Sequence, residues 1–316
     1  MDQPETHMTA ETNSYRSILD QPESRFPLDV GEFNSKIRKL FHASLTTQWN
    51  PSTVIDWDGI DTSAYSPEQR TALRTRWSRR AWGEYGAISE SPALQIRFCH
   101  DRVDPDAQLY FSIRSQEESR HAEISYRLAE KFGGYIDAPA DDYENSVSTH
   151  GVRRLALDAD TSVECTVAAL VCSAEQVIFN LFKHIAEITT QPAIRKTYQL
   201  ILRDEARHCA FGWYFMASRL PGLGADARKR VRDAVVTMIE KVELNGYQIA
   251  WLAPESEASS AQIESDRILW QAGLGASIEE LEKPVFVSSL REIRDRMKRE
   301  WDIDLPTFYH PRTGKI

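Results

Sequence analysis

Cysteine, proline and glycine are all scarce in this 316-residue chain, at 4, 14 and 14 residues. Cys99, Cys165, Cys172 and Cys209 show no C-x-x-C spacing, which excludes a zinc ribbon and a dense disulfide framework and makes four reduced thiols the expectation. Long hydrophobic runs are missing too. The longest, Val167 to Cys172, is far short of the ~20 residues of a bilayer-spanning helix, so no membrane segment is expected. The opening MDQPETHMTAETNSYRS has neither the basic nor the apolar region of a secretory signal, and the cytoplasm is the expected compartment. Nor is there an excess of positive charge. Against 47 Asp and Glu stand 38 Lys and Arg, a net charge of −9, which argues against nucleic acid as a partner because phosphate binding needs clustered cations. The basic clusters Arg79–Arg80 and Arg228–Arg232 read as solvated helix faces.

What remains is 41% hydrophobic and 27% charged, enough apolar material for a large core in a folded, soluble protein. With so little glycine and proline, most of the chain shows apolar residues three and four apart, the helical period. The pattern predicts helices near 32–47, 67–101, 106–132, 159–189, 192–219, 223–252, 260–272 and 278–300. Helices of this length joined by short connections, such as those at Asp104–Pro105 and Thr189 to Pro192, imply an all-α antiparallel bundle. Residues 1–30 read as a flexible arm, and 31–316 as a single helical domain with a four-helix core over 67–219 and further helices over 223–300. Pro92 should kink the first long helix or end it early.

Two stretches carry chemistry. Glu117-Glu118-Ser119-Arg120-His121 and Asp204-Glu205-Ala206-Arg207-His208 both read acid, Glu, any residue, Arg, His, on separate predicted helices. Chance alone would supply about 0.7 Glu-x-x-His pairs in a chain of this composition, but only about 0.01 with the flanking acid and Arg required. Residues i and i+3 share a helix face, so each pair can offer one carboxylate and one imidazole to a common metal. A carboxylate from each of the other two core helices would complete a paired-metal site. In the third core helix Glu175 sits on an apolar face with Cys172, Ile178, Phe179 and Phe182, and such an acid needs a partner. Glu164, eleven residues earlier, would lie about 16 Å away along the axis. In the first core helix Glu84 shares its face with Trp77, Ala81, Ala87 and Ile88, whereas Glu90 precedes Ser91–Pro92; Glu84 is the favoured ligand and Glu90 the alternative.

WGEYGA around Glu84, QEESRHAE around Glu118, SAEQVIFNLFKHIAE around Glu175 and RDEARHCAFG around Glu205 together resemble the ferritin-like di-metal carboxylate proteins. That family includes ribonucleotide reductase small subunits, acyl desaturases, multicomponent monooxygenases and the p-aminobenzoate N-oxygenase type. The resemblance runs from QWNPSTVIDW to Trp213, about half of the chain. It implies a ferritin-like bundle with extra N- and C-terminal helices, and two iron ions, or an iron–manganese pair, held by Glu84, Glu118, His121, Glu175, Glu205 and His208. Gaps of 34, 57 and 30 residues between successive Glu positions look most like the N-oxygenase type, but the extra histidine that type carries one turn before the last Glu is Ile201 here. Ser125 stands where reductase subunits carry a radical tyrosine, and Phe179 where the monooxygenases carry a threonine.

Such a protein is expected to be an O2-dependent di-iron oxidoreductase, a monooxygenase, N-oxygenase or desaturase-like enzyme acting on a small organic substrate, in a homodimer. No rubredoxin-like cysteine quartet, dinucleotide fingerprint or haem motif is visible, so the electrons would come from an external donor. A metal-storage protein or a radical- and metal-carrying subunit is the alternative. Phe111, Ser115, Cys172, Ile178, Phe179, Phe182, Tyr198, Ile201 and Leu202 are the candidate pocket lining, mostly apolar, suiting an apolar or aromatic substrate. Glu117, Asp204, Arg120 and Arg207 are candidates to hold the ligating histidines through their other N–H. His184 and His100 read as structural.

Overall fold

The computed structural model describes residues 35–101, 103–137, 155–158 and 160–316; the expected arm over 1–30 lies outside them. The helices are α1 (Ser35–Thr46), α2 (Pro67–His100), α3 (Pro105–Lys131), α4 (Val163–Ile188), α5 (Pro192–Arg219), α6 (Ala225–Lys241), α7 (Glu257–Gln271) and α8 (Glu279–Trp301). The four longest before α6 pack as the core bundle: α2 lies along α3, α4 along α5, and α3 also meets α5. Helix α1 crosses α3 and α5, α7 leans on α2, and α6 and α8 cover α4.

Local chemistry sets the starts of the core helices. Proline follows the cap residue at three of them, where its missing N–H costs nothing: Ser66 before Pro67, Asp104 before Pro105 and Gln191 before Pro192. Ser66 and Gln69 form a reciprocal capping box, and the Gln191 side chain accepts the Ile194 N–H at 2.7 Å. Helix α2 runs through Pro92 rather than stopping there. The proline faces solvent while Leu94 and Phe98 beyond it are buried, so tertiary packing carries the helix past the lost backbone bond.

Helix α4 departs from regular geometry where it matters. Val167–Ala174 is a π-helical stretch, every residue of it buried, and it ends immediately before Glu175. Across from it, Gly212 of α5 has no room for a side chain: a Cβ there would stand 2.8 Å from Val171 and 2.9 Å from Cys172. By length and composition α4 could cross a membrane, although polar residues interrupt its apolar runs, but 83% of its apolar window is buried inside the protein, as in a core helix.

The helix expected over 223–252 ends at Lys241. Two short 3-10 turns, Glu243–Asn245 and Ala250–Leu252, follow it, separated by Gly246 at φ 88°, where a Cβ would lie 2.5 Å from Ala253. A two-stranded antiparallel hairpin, Tyr309–His310 with Gly314–Lys315, also went unforeseen; residues this short leave no periodicity to read.

The turn after α6 buries Glu243 with neither carboxylate oxygen hydrogen-bonded, and burial pushes its pKa up to about 8. The folded state therefore favours the protonated acid. Its contribution is fully present below the ordinary value of 4.5 and is lost as the pH rises through about 8. Glu243→Gln is expected to melt within about 1 °C of the wild type at pH 4.5 and several degrees higher at pH 8.5, roughly 2 °C or more per kcal/mol recovered. Thermal denaturation at the two pH values checks it; equal melting shifts at both would show that the acid is not buried in its charged form.

Candidate metal centre

Helices α2, α3, α4 and α5 each contribute one glutamate to a common cluster in the bundle: Glu84, Glu118, Glu175 and Glu205. Potential ligand atoms converge in two groups, Glu84–Glu118–His121 and Glu118–Glu205–His208, all buried and within 4.8 Å of one another in each group. Glu118 belongs to both. The histidines turn Nδ1 inward: His121 Nδ1 lies 3.4 Å from Glu118 and 3.5 Å from Glu205, and His208 Nδ1 lies 3.4 Å from Glu118 and 3.2 Å from Glu205. Glu175 stands beside them, tied with Glu118 to the guanidinium of Arg114.

Their outer nitrogens are held in a crossed pattern. His121 on α3 faces Asp204 on α5 at 3.4 Å, and His208 on α5 bonds Glu117 on α3 at 2.8 Å. The acid before each Glu-x-x-His pair thus serves the histidine of the opposite helix. Arg207 bonds both Glu117 and Asp204, Arg120 bonds Asp204 at 3.2 Å, and the indole N–H of Trp49 donates to Asp204 at 2.8 Å. Trp49 also stacks near His121, with ring centroids 6.3 Å apart.

Crowding of like charge shows in the titration. Burial pushes Glu84 up to about 7, with Glu118 and Glu205 adding to the rise and Arg80 opposing it. Glu175 is raised to about 7 in the same way, again by burial first, with Arg114 opposing. Burial would also raise Glu118, but Arg114 and the two histidines hold it well below the carboxylate range. His121 resists the downward pull of burial and reaches about 10, because the carboxylates of Asp204 and Glu118 face its ring nitrogens at 3.4 Å. A buried set of four carboxylates that repel one another calls for cations.

The donor set fits a pair of hard or borderline cations, two per bundle, as in carboxylate-bridged sites. Unsatisfied atoms point the same way: Glu175 Oε2 and both ring nitrogens of His121 are buried without a hydrogen-bond partner. No protein-family model matches the chain, and no curated protein matches it in sequence. Solved structures do match. An R2-like ligand-binding oxidase with an aerobically reconstituted metal cofactor aligns over 85% of this chain and 94% of its own, at TM-score 0.65 and 13% identity. A point variant of such an oxidase with an aerobically reconstituted Mn/Fe cofactor covers 88% of this chain and 98% of its own, at TM-score 0.62 and 15% identity. Another, with an anaerobically reconstituted Mn/Fe cofactor, reaches TM-score 0.66 at 12% identity over 87% of this chain and 99% of its own. The fold is that of the ferritin-like, R2-like oxidases. At these identities the likeness is one of fold.

Of the two first-helix candidates, Glu84 joins a ligand group, while Glu90 lines the adjoining cavity outside both groups. Glu164 is far from the cluster, in an ion pair with Arg219 at 2.7 Å. His184 bonds Ser277 at 2.9 Å and His100 is exposed beside Asp101. The cavity next to the carboxylates, about 200 Å³, is lined by Ile178, Phe182 and Tyr198 among the expected pocket residues. The others lie outside its lining. Phe111 is locked among Phe98, Tyr110 and Phe211, the Ser115 hydroxyl is spent on its own helix at the Phe111 carbonyl, Cys172 packs under Gly212, Ile201 is fully buried, and Phe179 and Leu202 are half-buried elsewhere.

The expectation of an apolar pocket needs correction, because Arg76, Arg79, Arg80 and Arg114 line this cavity as well. Arg79 and Arg80, read as a solvated face, are half-buried in its wall: the face of α2 they occupy is covered by α7 and the turn after α6, which the sequence alone does not place there. A signal was nonetheless present, since Arg80 and Arg114 each precede a candidate ligand, Glu84 and Glu118, by four residues and pair with it one helical turn on.

Proposed function

We propose that the chain is an O2-dependent non-haem oxidoreductase holding two iron ions or an iron–manganese pair, with Glu84, Glu118, His121, Glu175, Glu205 and His208 as ligands. The convergence of two three-residue groups on a shared Glu118 carries this reading. A metal pair in such a site supplies O2 binding and two-electron redox chemistry, the oxygen-rich ligands favouring the oxidised ions. The protein supplies orientation. Glu117, hydrogen-bonded to His208 Nε2, and Asp204, facing His121 Nε2 at 3.4 Å, keep each histidine turned with Nδ1 toward the cluster, and Arg120 and Arg207 balance the charge of those acids. The cavity beside the four glutamates gives a small organic substrate a place within reach. Oxygenation needs two electrons from an external donor, unless the substrate supplies them.

The Mn/Fe cofactors named for the R2-like oxidases of the same fold support the choice of metals. Anaerobic reconstitution with Fe(II), alone or with Mn(II), is expected to leave about two metal ions per chain by elemental analysis, and the loaded protein should consume O2. A content near zero in a protein of unchanged helical circular dichroism would overturn the proposal.

A further inference from the structure

Two arginines reach into the carboxylate cluster from the helices that carry its ligands. Arg80, one turn before Glu84 on α2, forms an ion pair with that ligand, and its guanidinium is backed by the Phe182 ring, 4.0 Å from the centroid. Arg114, one turn before Glu118 on α3, is buried; it pairs with Glu118 at 2.9 Å and with Glu175, and its other terminal nitrogen donates to the Ser91 hydroxyl. A guanidinium keeps its charge, so a metal ion cannot clear either arginine by displacing a proton. The ion has to share the carboxylate or push the arginine aside. Among the described residues, Glu205 is the one glutamate of the four that no arginine pairs with.

The two ligand groups are therefore unlike. Glu118–Glu205–His208 shares Glu118 with Arg114 alone, whereas Glu84–Glu118–His121 shares Glu118 with Arg114 and Glu84 with Arg80. Glu175, held by Arg114, lies outside both groups. The histidines differ in the same direction. His208 is hydrogen-bonded at both ring nitrogens, with Glu117 at 2.8 Å and Glu205 at 3.2 Å, while neither nitrogen of His121 makes a hydrogen bond and its outer one stands 3.4 Å from Asp204. A carboxylate bonded at the outer nitrogen fixes the ring and strengthens it as a ligand, so His208 is the better prepared of the two.

Charge gives the same ranking. The four glutamates carry four negative charges, Arg80 and Arg114 return two, and one divalent ion cancels the remaining two. Behind the histidines, Glu117 and Asp204 are already matched by Arg120 and Arg207. A second divalent ion would leave the buried cluster with surplus positive charge, which a site out of water resists. We propose that Arg80 and Arg114 take the place of one ion's charge, so that the centre holds its first divalent ion tightly at Glu118, Glu205 and His208 and admits the second at Glu84 and His121 weakly, in competition with Arg80. This rests on the di-metal reading above and adds to it a form with a single ion, filled when metal is scarce.

Equilibrium dialysis of the full chain against graded Mn(II) under anaerobic conditions, with bound metal measured by elemental analysis and folding by circular dichroism, tests it. The wild type is expected to fill in two steps, the first ion held at least about thirtyfold more tightly than the second. Arg80→Gln should tighten the second step about tenfold and leave the first within about threefold, because it frees Glu84 and removes a repelling charge. Arg80→Lys, which keeps the charge, should leave the second step weak and so separates charge from packing against Phe182. At Mn(II) concentrations that fill only the first step, Glu84→Gln should keep its ion and Glu205→Gln should lose it, a comparison that does not depend on the arginine variants folding. Two ions bound with equal affinity, a second step that Arg80→Gln does not tighten or that Arg80→Lys tightens as much, or a first ion lost in Glu84→Gln and kept in Glu205→Gln, overturns the proposal with the di-metal reading intact. No bound Mn(II) at any concentration in folded wild-type protein overturns the di-metal reading and this proposal together.

Discussion

Glu118→Gln is expected to empty both metal positions in one substitution. Glu118 is the single residue common to the two ligand groups, whereas Glu84 belongs to one of them only. Gln keeps the volume and one carbonyl oxygen but removes the charge that makes the position worth sharing, and it leaves Arg114 its second partner, Glu175. Metal content should fall from about two per chain to a few tenths, while Glu84→Gln should retain about one. Glu164→Gln, at a buried acid paired with Arg219 away from the cluster, should keep the full content. Elemental analysis of the three variants after identical anaerobic loading decides the matter, with circular dichroism as the folding check. Two metals still bound in Glu118→Gln would show that the groups do not share this ligand.

That experiment addresses the part of the site most legible in the sequence. A Glu-x-x-His pair announces itself because both ligands lie within one helical turn, and the spacing that puts them on one face is visible without a fold. Glu175 was readable for a different reason, as an acid on an otherwise apolar face. The helix order and most helix ends were equally legible, because cap residues and N1 prolines act locally at Ser66, Asp104 and Gln191. Long-range assignments were not. Trp49 reaches Asp204 across 155 positions, and Arg76 meets Asp266 across 190. No periodic pattern encodes such partners, since each depends on where α1, α7 and the turn after α6 settle on the bundle. The pocket failed for the same reason: its apolar lining could be inferred from α4, but the arginines of α2 face inward only because other elements cover them. The π-helical stretch is a further limit. It shifts the facing of residues before Glu175 relative to a regular helix, so facing counted from 3.6 residues per turn is least secure over Val167–Ala174.

The crossed acids predict a second large effect, this time on stability. Asp204 is fully buried and takes donors from Trp49, Arg120 and Arg207 while facing His121 at 3.4 Å. Burial alone would raise its pKa, but His121, Trp49 and Arg207 hold it well below the ordinary 3.8. Asp204→Asn would leave Arg120 and Arg207 buried with Glu117 as their remaining carboxylate, at 3.7 Å and 2.5 Å. Breaking a buried ion pair from one side costs about 3–5 kcal/mol, so the variant should melt lower by on the order of 10 °C at pH 7. Because the folded-state pKa is depressed, the stability that Asp204 confers is present above 3.8 and is lost as the pH falls below it toward the folded value. The gap between wild type and variant should therefore narrow steadily in melts taken from pH 5 down to pH 3. A gap of constant size across that range would mean that the aspartate holds the bundle by its shape and not by its charge.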